Sequence, residues 1–172
     1  NDINSLASSL DSEVAAVIME PMLFEYPDNC FLQKVKELTT ANKSLLIFDE
    51  MWTGFRIALG GAQEKFDVDA DMCTFSKAVA NGMPLSILTG RKDILSMLDK
   101  DLFFYTTFGG EALSLAAAKA TIQFMQSTDF FQTISAKGAY LKKLIDDAIK
   151  SLSCDFIQTS GMPQRFMVLF GH

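Results

Sequence analysis

The chain has 172 residues, 49% hydrophobic and 21% charged, with a net charge of −6 at pH 7. That apolar content excludes intrinsic disorder, and the acidic balance lacks the electrostatic footprint of nucleic-acid binding. No apolar run approaches the ~20 residues of a membrane-spanning helix and no secretory signal opens the chain, so a cytoplasmic setting is expected. The size suits one domain or a little more, with roughly 70% of the unfolded surface buried. Cys30, Cys73 and Cys154 make an odd, sparse set. Reduced thiols fit the expected setting, and one disulfide with a free thiol is the alternative. The absence of an initiator Met and an end in strand-like residues lead us to expect a piece of a longer protein.

In chain order, the polar opening to Glu13 reads as the approach to a strand. Val14–Met19 is a continuous apolar run ended by Glu20-Pro21, the pattern of a strand buried on both faces. Pro27-Asp28 opens a helical segment to about Asn42, with Phe31, Val35 and Leu38 on one face. Leu45–Phe48 is a second buried strand, closed by Asp49-Glu50. Met72–Phe75 is a third, and Leu85–Thr89, between Pro84 and Gly90, a fourth. A short helix over Arg91–Leu98 follows. Next come an Ala-rich helix over Glu111–Gln126 and a helix over Asp129–Lys150, led by Ser127-Thr128-Asp129 as cap candidates. Phe130, Ile134, Leu141 and Ile145 share a face of that last helix. The tail beyond Cys154 reads as strand material of another layer. Strands alternating with helices predict an α/β fold with a mostly parallel sheet and flanking helices.

Ligands of open α/β sheets bind beyond the carboxyl ends of the strands. Glu20, Asp49-Glu50 and Ser76-Lys77 each follow an apolar strand directly. A carboxylate at Asp49 needs a partner, which could be a helix N-terminus, a structural ion pair, a cation or a protonated ring nitrogen. Lys77 could simply be solvated. If enclosed, its amine can be neutral near pH 7 and attack a carbonyl. Position alone leaves both choices open.

The surrounding motifs narrow them. Asp49-Glu50-Met51-Trp52-Thr53-Gly54-Phe55-Arg56 is followed by Gly60-Gly61-Ala62-Gln63-Glu64. Thr74-Phe75-Ser76-Lys77-Ala78 comes next, then Asn81-Gly82-Met83-Pro84-Leu85, Gly90-Arg91 and Thr106-Thr107-Phe108-Gly109-Gly110. This ordered series, from about Val14 to Met125, resembles the class III (subgroup II) pyridoxal 5'-phosphate-dependent aminotransferases. Within them it is most similar to the glutamate-1-semialdehyde 2,1-aminomutase branch, through Thr-Gly-Phe-Arg and Gly-Gly-Ala-Gln.

The resemblance implies part of the large domain of a fold type I enzyme, with residues 1–152 central to that domain and 153–172 starting the small C-terminal domain. It implies pyridoxal 5'-phosphate as cofactor, with Lys77 in a Schiff base to it and shuttling the substrate proton. Asp49 would keep the pyridine nitrogen protonated. The two stand 28 positions apart, enough for a crossover between neighbouring parallel strands. Thr107 would bind the cofactor phosphate of the neighbouring subunit, so a homodimer is implied. Glu20 matches a Glu-Pro pair on the substrate side, or is equally well a capped strand end. Trp52 stands beside the cofactor's 3'-oxygen, where the wider family usually has Gln and the aminomutases often Met. Glu111-Ala112 replaces the usual Asn-Pro, and Met22–Asn29 lacks the expected glycines. The implied reaction is amino-group transfer on a small amino or keto substrate. A transaminase for a keto-sugar in polysaccharide synthesis is the alternative, and a non-catalytic α/β assembly domain the alternative of another class. A nicotinamide-binding domain is disfavoured, since no Gly-x-Gly-x-x-Gly follows a strand. The resemblance implies that the family's phosphate turn and ring-stacking aromatic lie upstream of these residues, and its substrate-carboxylate arginine downstream in the small domain. The sole histidine, His172, is read as inert, and the methionines and phenylalanines as core packing.

Overall fold

Four of the apolar runs pair into one sheet. Its strands β1 (Ala16–Met19), β2 (Leu45–Asp49), β3 (Met72–Phe75) and β4 (Ile87–Gly90) lie side by side in that order. The structure, a computed structural model, describes residues 2–28, 30–100, 102–103 and 106–171; His172 lies outside the described residues. β1, β2 and β3 run parallel, with Ile18 opposite Ile47 and Ile47 opposite Met72. β4 is antiparallel, placing Ile87 opposite Phe75. The 11 residues Ser76–Ser86 between β3 and β4 fall short of the dozen or more that a parallel crossover needs. The mostly parallel α/β sheet is thus as expected, with one reversed edge strand.

The strands alternate rather than burying both faces. Val17, Met19, Leu46, Phe48, Cys73 and Phe75 point to one side, against Leu32 and Val35 of helix α2 (Phe31–Asn42). On the other side Ile18 is 66% and Leu88 41% exposed. This corrects the expectation for the first strand: it is an edge strand with one open face. The buried positions of α2 are Leu32, Val35 and Thr39, a stripe rotated by one residue from Phe31, Val35 and Leu38. The polar opening is also corrected. Residues Ile3–Ser9 form helix α1, because the Asp2 carboxylate caps it by accepting from Ser5 N–H at 3.0 Å. Ile3 and Leu6 then pack onto the main core.

Helix α3 (Gly61–Phe66) lies between β2 and β3. The segment expected as one helix over Arg91–Leu98 is two single turns, α4 (Lys92–Leu95) and α5 (Met97–Lys100). Helix α6 (Ala112–Ser127) carries the Ala-rich segment; Ala118 packs on Val79 and Ala80. Helix α7 (Phe130–Ser151) has no fully buried residue. On its expected face Leu141 is 51% exposed, while Phe130, Ile134 and Ile145 are half-buried. Strands β5 (Ile157–Met162) and β6 (Arg165–Phe170) form a separate antiparallel hairpin. Gly138 admits its turn, since a Cβ there would sit 2.6 Å from the Pro163 carbonyl carbon. Met162 anchors the hairpin in a second core with Met22, Ile57 and Ala62. The three cysteines are free thiols: Cys30 exposed, Cys73 buried and Cys154 half-buried. Among the described residues no helix is long and apolar enough to cross a membrane.

Candidate active site

The carboxyl ends of β2 and β3 carry Asp49 and, two residues past β3, Lys77. Asp49 pairs with Thr74 across the strands. Its Oδ1 accepts from Met51 N–H at 3.0 Å and Thr74 Oγ1 at 3.4 Å. The first bond turns the chain sharply off the strand. Among the described residues Oδ2 accepts nothing, so Asp49 keeps one oxygen for a cationic partner.

Lys77 opens a 3-10 turn (Lys77–Ala80) with φ +51°. A non-glycine residue holds that conformation at a cost of about 1–3 kcal/mol, which the surrounding structure must offset. Here Ser76 Oγ donates to Leu85 O at 2.6 Å, and Val79 and Ala80 are locked under Ala118. The side chain is exposed and makes no hydrogen bond or ion pair among the described residues. It lines a cavity of about 430 Å³ with Phe55, Arg56, Asn81, Met125 and Phe130.

Trp52 gathers the cations. Its ring centroid lies 4.6 Å from Lys77 Nζ, 4.3 Å from the Arg165 guanidinium carbon and 5.5 Å from that of Arg56. Such contacts are favourable by about 0.5–2 kcal/mol each. Arg56 Nε also donates to Trp52 O at 2.9 Å. Burial, and the positive charge of Arg165, push the Arg56 guanidinium below its ordinary range. Glu20, just beyond β1, ion-pairs with Arg165 at 3.7 Å and lines a different cavity of about 460 Å³. A relay of contacts therefore runs from Glu20 through Arg165 and Trp52 to Lys77. Thr107 is exposed in the turn before α6 and makes no hydrogen bond to Asp49 or Lys77 among the described residues. Glu111, at the replaced Asn position, caps α6 by accepting from Leu113 N–H at 2.7 Å and Ser114 N–H at 2.8 Å.

Glu50 was named only beside Asp49 at the strand end, with no role of its own, yet it organises this loop. It is fully buried. Oε2 accepts from Thr53 Oγ1 at 2.8 Å and Ala62 N–H at 2.7 Å, and Oε1 from Gln63 N–H at 3.3 Å. Burial pushes its carboxyl up, against the opposing pull of those bonds. Thr-Gly-Phe-Arg and Gly-Gly-Ala-Gln are thus two halves of one clasp on Glu50, with Trp52 directly before the first half and Arg56 its last residue. Gly54 is needed because a Cβ there would lie 2.8 Å from Glu50 O. Arg165 was also missed: nothing in a strand-like tail 88 positions beyond Lys77 marks it as a neighbour.

The family model for class III aminotransferases matches residues 1–160. The glutamate-1-semialdehyde 2,1-aminomutase of Methanococcoides burtonii is 36% identical over 180 residues, covering 99% of this chain and 42% of its own length. That of Methanothrix thermoacetophila is 38% identical over 178 residues, covering 99% and 41%. The chain therefore spans about two fifths of these relatives. Among solved structures, the FumI protein of a Sphingopyxis species, described as a PLP internal aldimine form, superposes with a TM-score of 0.86 at 24% identity. That match covers 99% of this chain and 43% of that one. The fold is that of the large domain of fold type I pyridoxal-phosphate enzymes, and the chain belongs to the class III aminotransferase family.

Proposed function

We propose that the protein to which this chain belongs is a pyridoxal 5'-phosphate-dependent amino-group transferase, with Lys77 holding the cofactor. The observation that carries this is the pairing of an uncommitted Asp49 oxygen with an acceptor-free Lys77 amine at neighbouring strand ends. This donor set fits the cofactor, which offers an aldehyde to a primary amine and a ring N–H to an anionic acceptor.

When bound, pyridoxal phosphate captures an amine at its aldehyde and draws electron density from the carbon bearing that amine. Lys77 supplies the amine that holds the aldehyde. Once displaced by substrate, it is the base that takes the proton from the substrate carbon and the acid that returns it. Asp49 holds a proton on the ring nitrogen by its negative charge, and Thr74 and Met51 N–H fix its orientation. Trp52 orients the Lys77 amine and shields it from water on one side.

The substrate is a small amino or keto compound. The curated relatives support the aminomutase branch, and the bulk of Trp52 supports a substrate different from theirs. Thr107, exposed in the turn before α6, is available to a neighbouring subunit, which supports a homodimer with a shared phosphate site. Glu20 stands on the substrate side through Arg165. Residues 153–172, whose hairpin pairs with no strand of the main sheet, begin the small domain. We place the protein in the cytoplasm, on its free thiols and lack of a membrane-spanning helix among the described residues.

The test is the visible absorbance of the full-length protein. Lys77→Ala should abolish the band of covalently held cofactor, and an unchanged band would refute the assignment. Turnover of an amino-aldehyde without any second amine would select the aminomutase; stoichiometric use of an amino-acid donor would select the transaminase.

A further inference from the structure

Three cations share the Trp52 indole, and they are not held alike. Arg56 also donates through Nε to Trp52 O at 2.9 Å. Arg165 also stacks on Phe24, its guanidinium carbon 4.8 Å from that ring centroid, and faces Glu20 at 3.7 Å. Lys77 has the indole alone. Its Nζ lies 4.6 Å from the ring centroid and makes no hydrogen bond or ion pair among the described residues. Of the three, Lys77 is therefore the cation that can leave the ring without breaking a second such contact.

Both ends of the Lys77–Trp52 contact are anchored. The Lys77 backbone is held at φ +51° by the 2.6 Å bond from Ser76 Oγ to Leu85 O and by Val79 and Ala80 packed under Ala118. Trp52 directly precedes Thr53, whose Oγ1 donates to the buried Glu50 carboxylate at 2.8 Å. Only the torsions of the lysine side chain then separate an amine on the ring from an amine joined to something else. Asp49 offers an uncommitted oxygen at the neighbouring strand end, yet the amine rests on the indole and leaves that oxygen open. The face of an aromatic ring attracts an ammonium through its quadrupole, and indole does so best.

We infer that Trp52 is the dock for the Lys77 amine whenever that amine is not joined to the cofactor, and that it thereby favours the lysine-free forms over the lysine-bound one. This rests on Lys77 being the residue that holds the cofactor. The exchange that reads the bias is balanced and needs no further reactant. The C=N bond between the cofactor carbon and Lys77 Nζ breaks, and a C=N bond to an incoming amine forms. Two protons pass from the incoming ammonium to Lys77, which ends as an ammonium itself. Trp52 stabilises only the side on which Lys77 is free, so it is a positioning residue that acts through Lys77.

The probe is methylamine, added at a series of concentrations to the full-length holoenzyme. Borohydride then fixes each C=N bond, and mass spectrometry compares cofactor reduced onto Lys77 with cofactor reduced onto methylamine. The readout is the methylamine concentration that displaces half of the lysine. Trp52→Leu removes the ring and should raise that concentration about 2- to 5-fold, the size of an exposed cation–π contact. Trp52→Phe keeps a weaker ring face and should fall between the parent and Trp52→Leu. Both variants lose the bulk of the indole, so a role of bulk alone would move them together. If Trp52→Leu does not fold, Trp52→Phe carries the test, with a smaller rise over the parent. The inference is overturned if the half-displacement concentration is unchanged or falls in either variant, or if the two rise equally. A parent holoenzyme with no cofactor reduced onto Lys77 before methylamine is added would overturn the proposed function, and this inference with it.

Discussion

Glu50 and Gly61 fit together with no room for a side chain between them: a Cβ on Gly61 would sit 2.8 Å from the Glu50 carboxyl carbon. Gly61 also holds φ +68°, a left-handed value that disfavours any other residue. Gly61→Ala should therefore destabilise the protein by about 1–3 kcal/mol. A urea-unfolding midpoint measures this, and an unshifted midpoint would show that the clasp tolerates a side chain.

Glu50→Gln preserves shape but turns an amide N–H2 toward one set of donors, either Thr53 Oγ1 and Ala62 N–H or Gln63 N–H. The loss should be about 1–3 kcal/mol, the cost of leaving buried donors unmet. Because Trp52 and Arg56 flank the Thr53 contact of this clasp, cofactor affinity of the full-length protein should fall with it, as read by equilibrium dialysis.

Asp71 ties three elements together. It accepts from Leu46 N–H at 2.8 Å in β2, and from Lys36 of α2 at 3.0 Å and Arg91 beyond β4 at 3.2 Å. Burial alone would raise its carboxyl, but those three bonds outweigh burial and hold it below its ordinary 3.8. The folded value lies below the unfolded one, so this stabilisation is complete above the unfolded value and is lost as pH falls through the folded one. Acid titration of stability should show that loss below about pH 4. Asp71→Asn should be less stable at neutral pH and lose less on acidification.

Burial pushes the Cys73 thiol up to about 12, with the Glu50 charge adding to the effect. Thiolate is the reactive form, so native alkylation should mark exposed Cys30 within minutes and spare Cys73 until the protein unfolds. Peptide mapping after iodoacetamide checks the order. Early modification of Cys73 would contradict the packing of β3.

Asp49→Asn keeps an oxygen for Met51 N–H and removes the charge. In the full-length protein, turnover should fall by roughly 10²- to 10³-fold, the usual loss when one electrostatic group facing developing charge is removed, while Lys77 still retains the cofactor. Steady-state kinetics beside the visible spectrum separates the two effects.

Much of the sheet was legible because an apolar run flanked by polar residues has few other readings. Met72–Phe75, between Asp71 and Ser76, is read to the residue. Asp49 and Lys77 were legible as strand-end groups, and the motifs around them supplied their chemistry. The rest depended on partners far along the chain. Whether Ile18 is covered is decided by what packs on its face of the sheet, not by its own apolar run. α1 was hidden because its signal is one capping carboxylate, Asp2, ahead of a weakly apolar stretch. The reversal of β4 could have been read from the short link over Ser76–Ser86. Arg165 could not be found before folding, because the Gly138–Pro163 approach and the Met162 anchor are what bring β6 beside Trp52.

Borohydride reduction of the full-length holoenzyme, followed by peptide mapping with mass spectrometry, tests most directly whether Lys77 holds the cofactor. The prediction is a single pyridoxyl-modified peptide carrying the label on Lys77, absent in Lys77→Ala. A label on another lysine, or none on a protein that retains its cofactor, would contradict it.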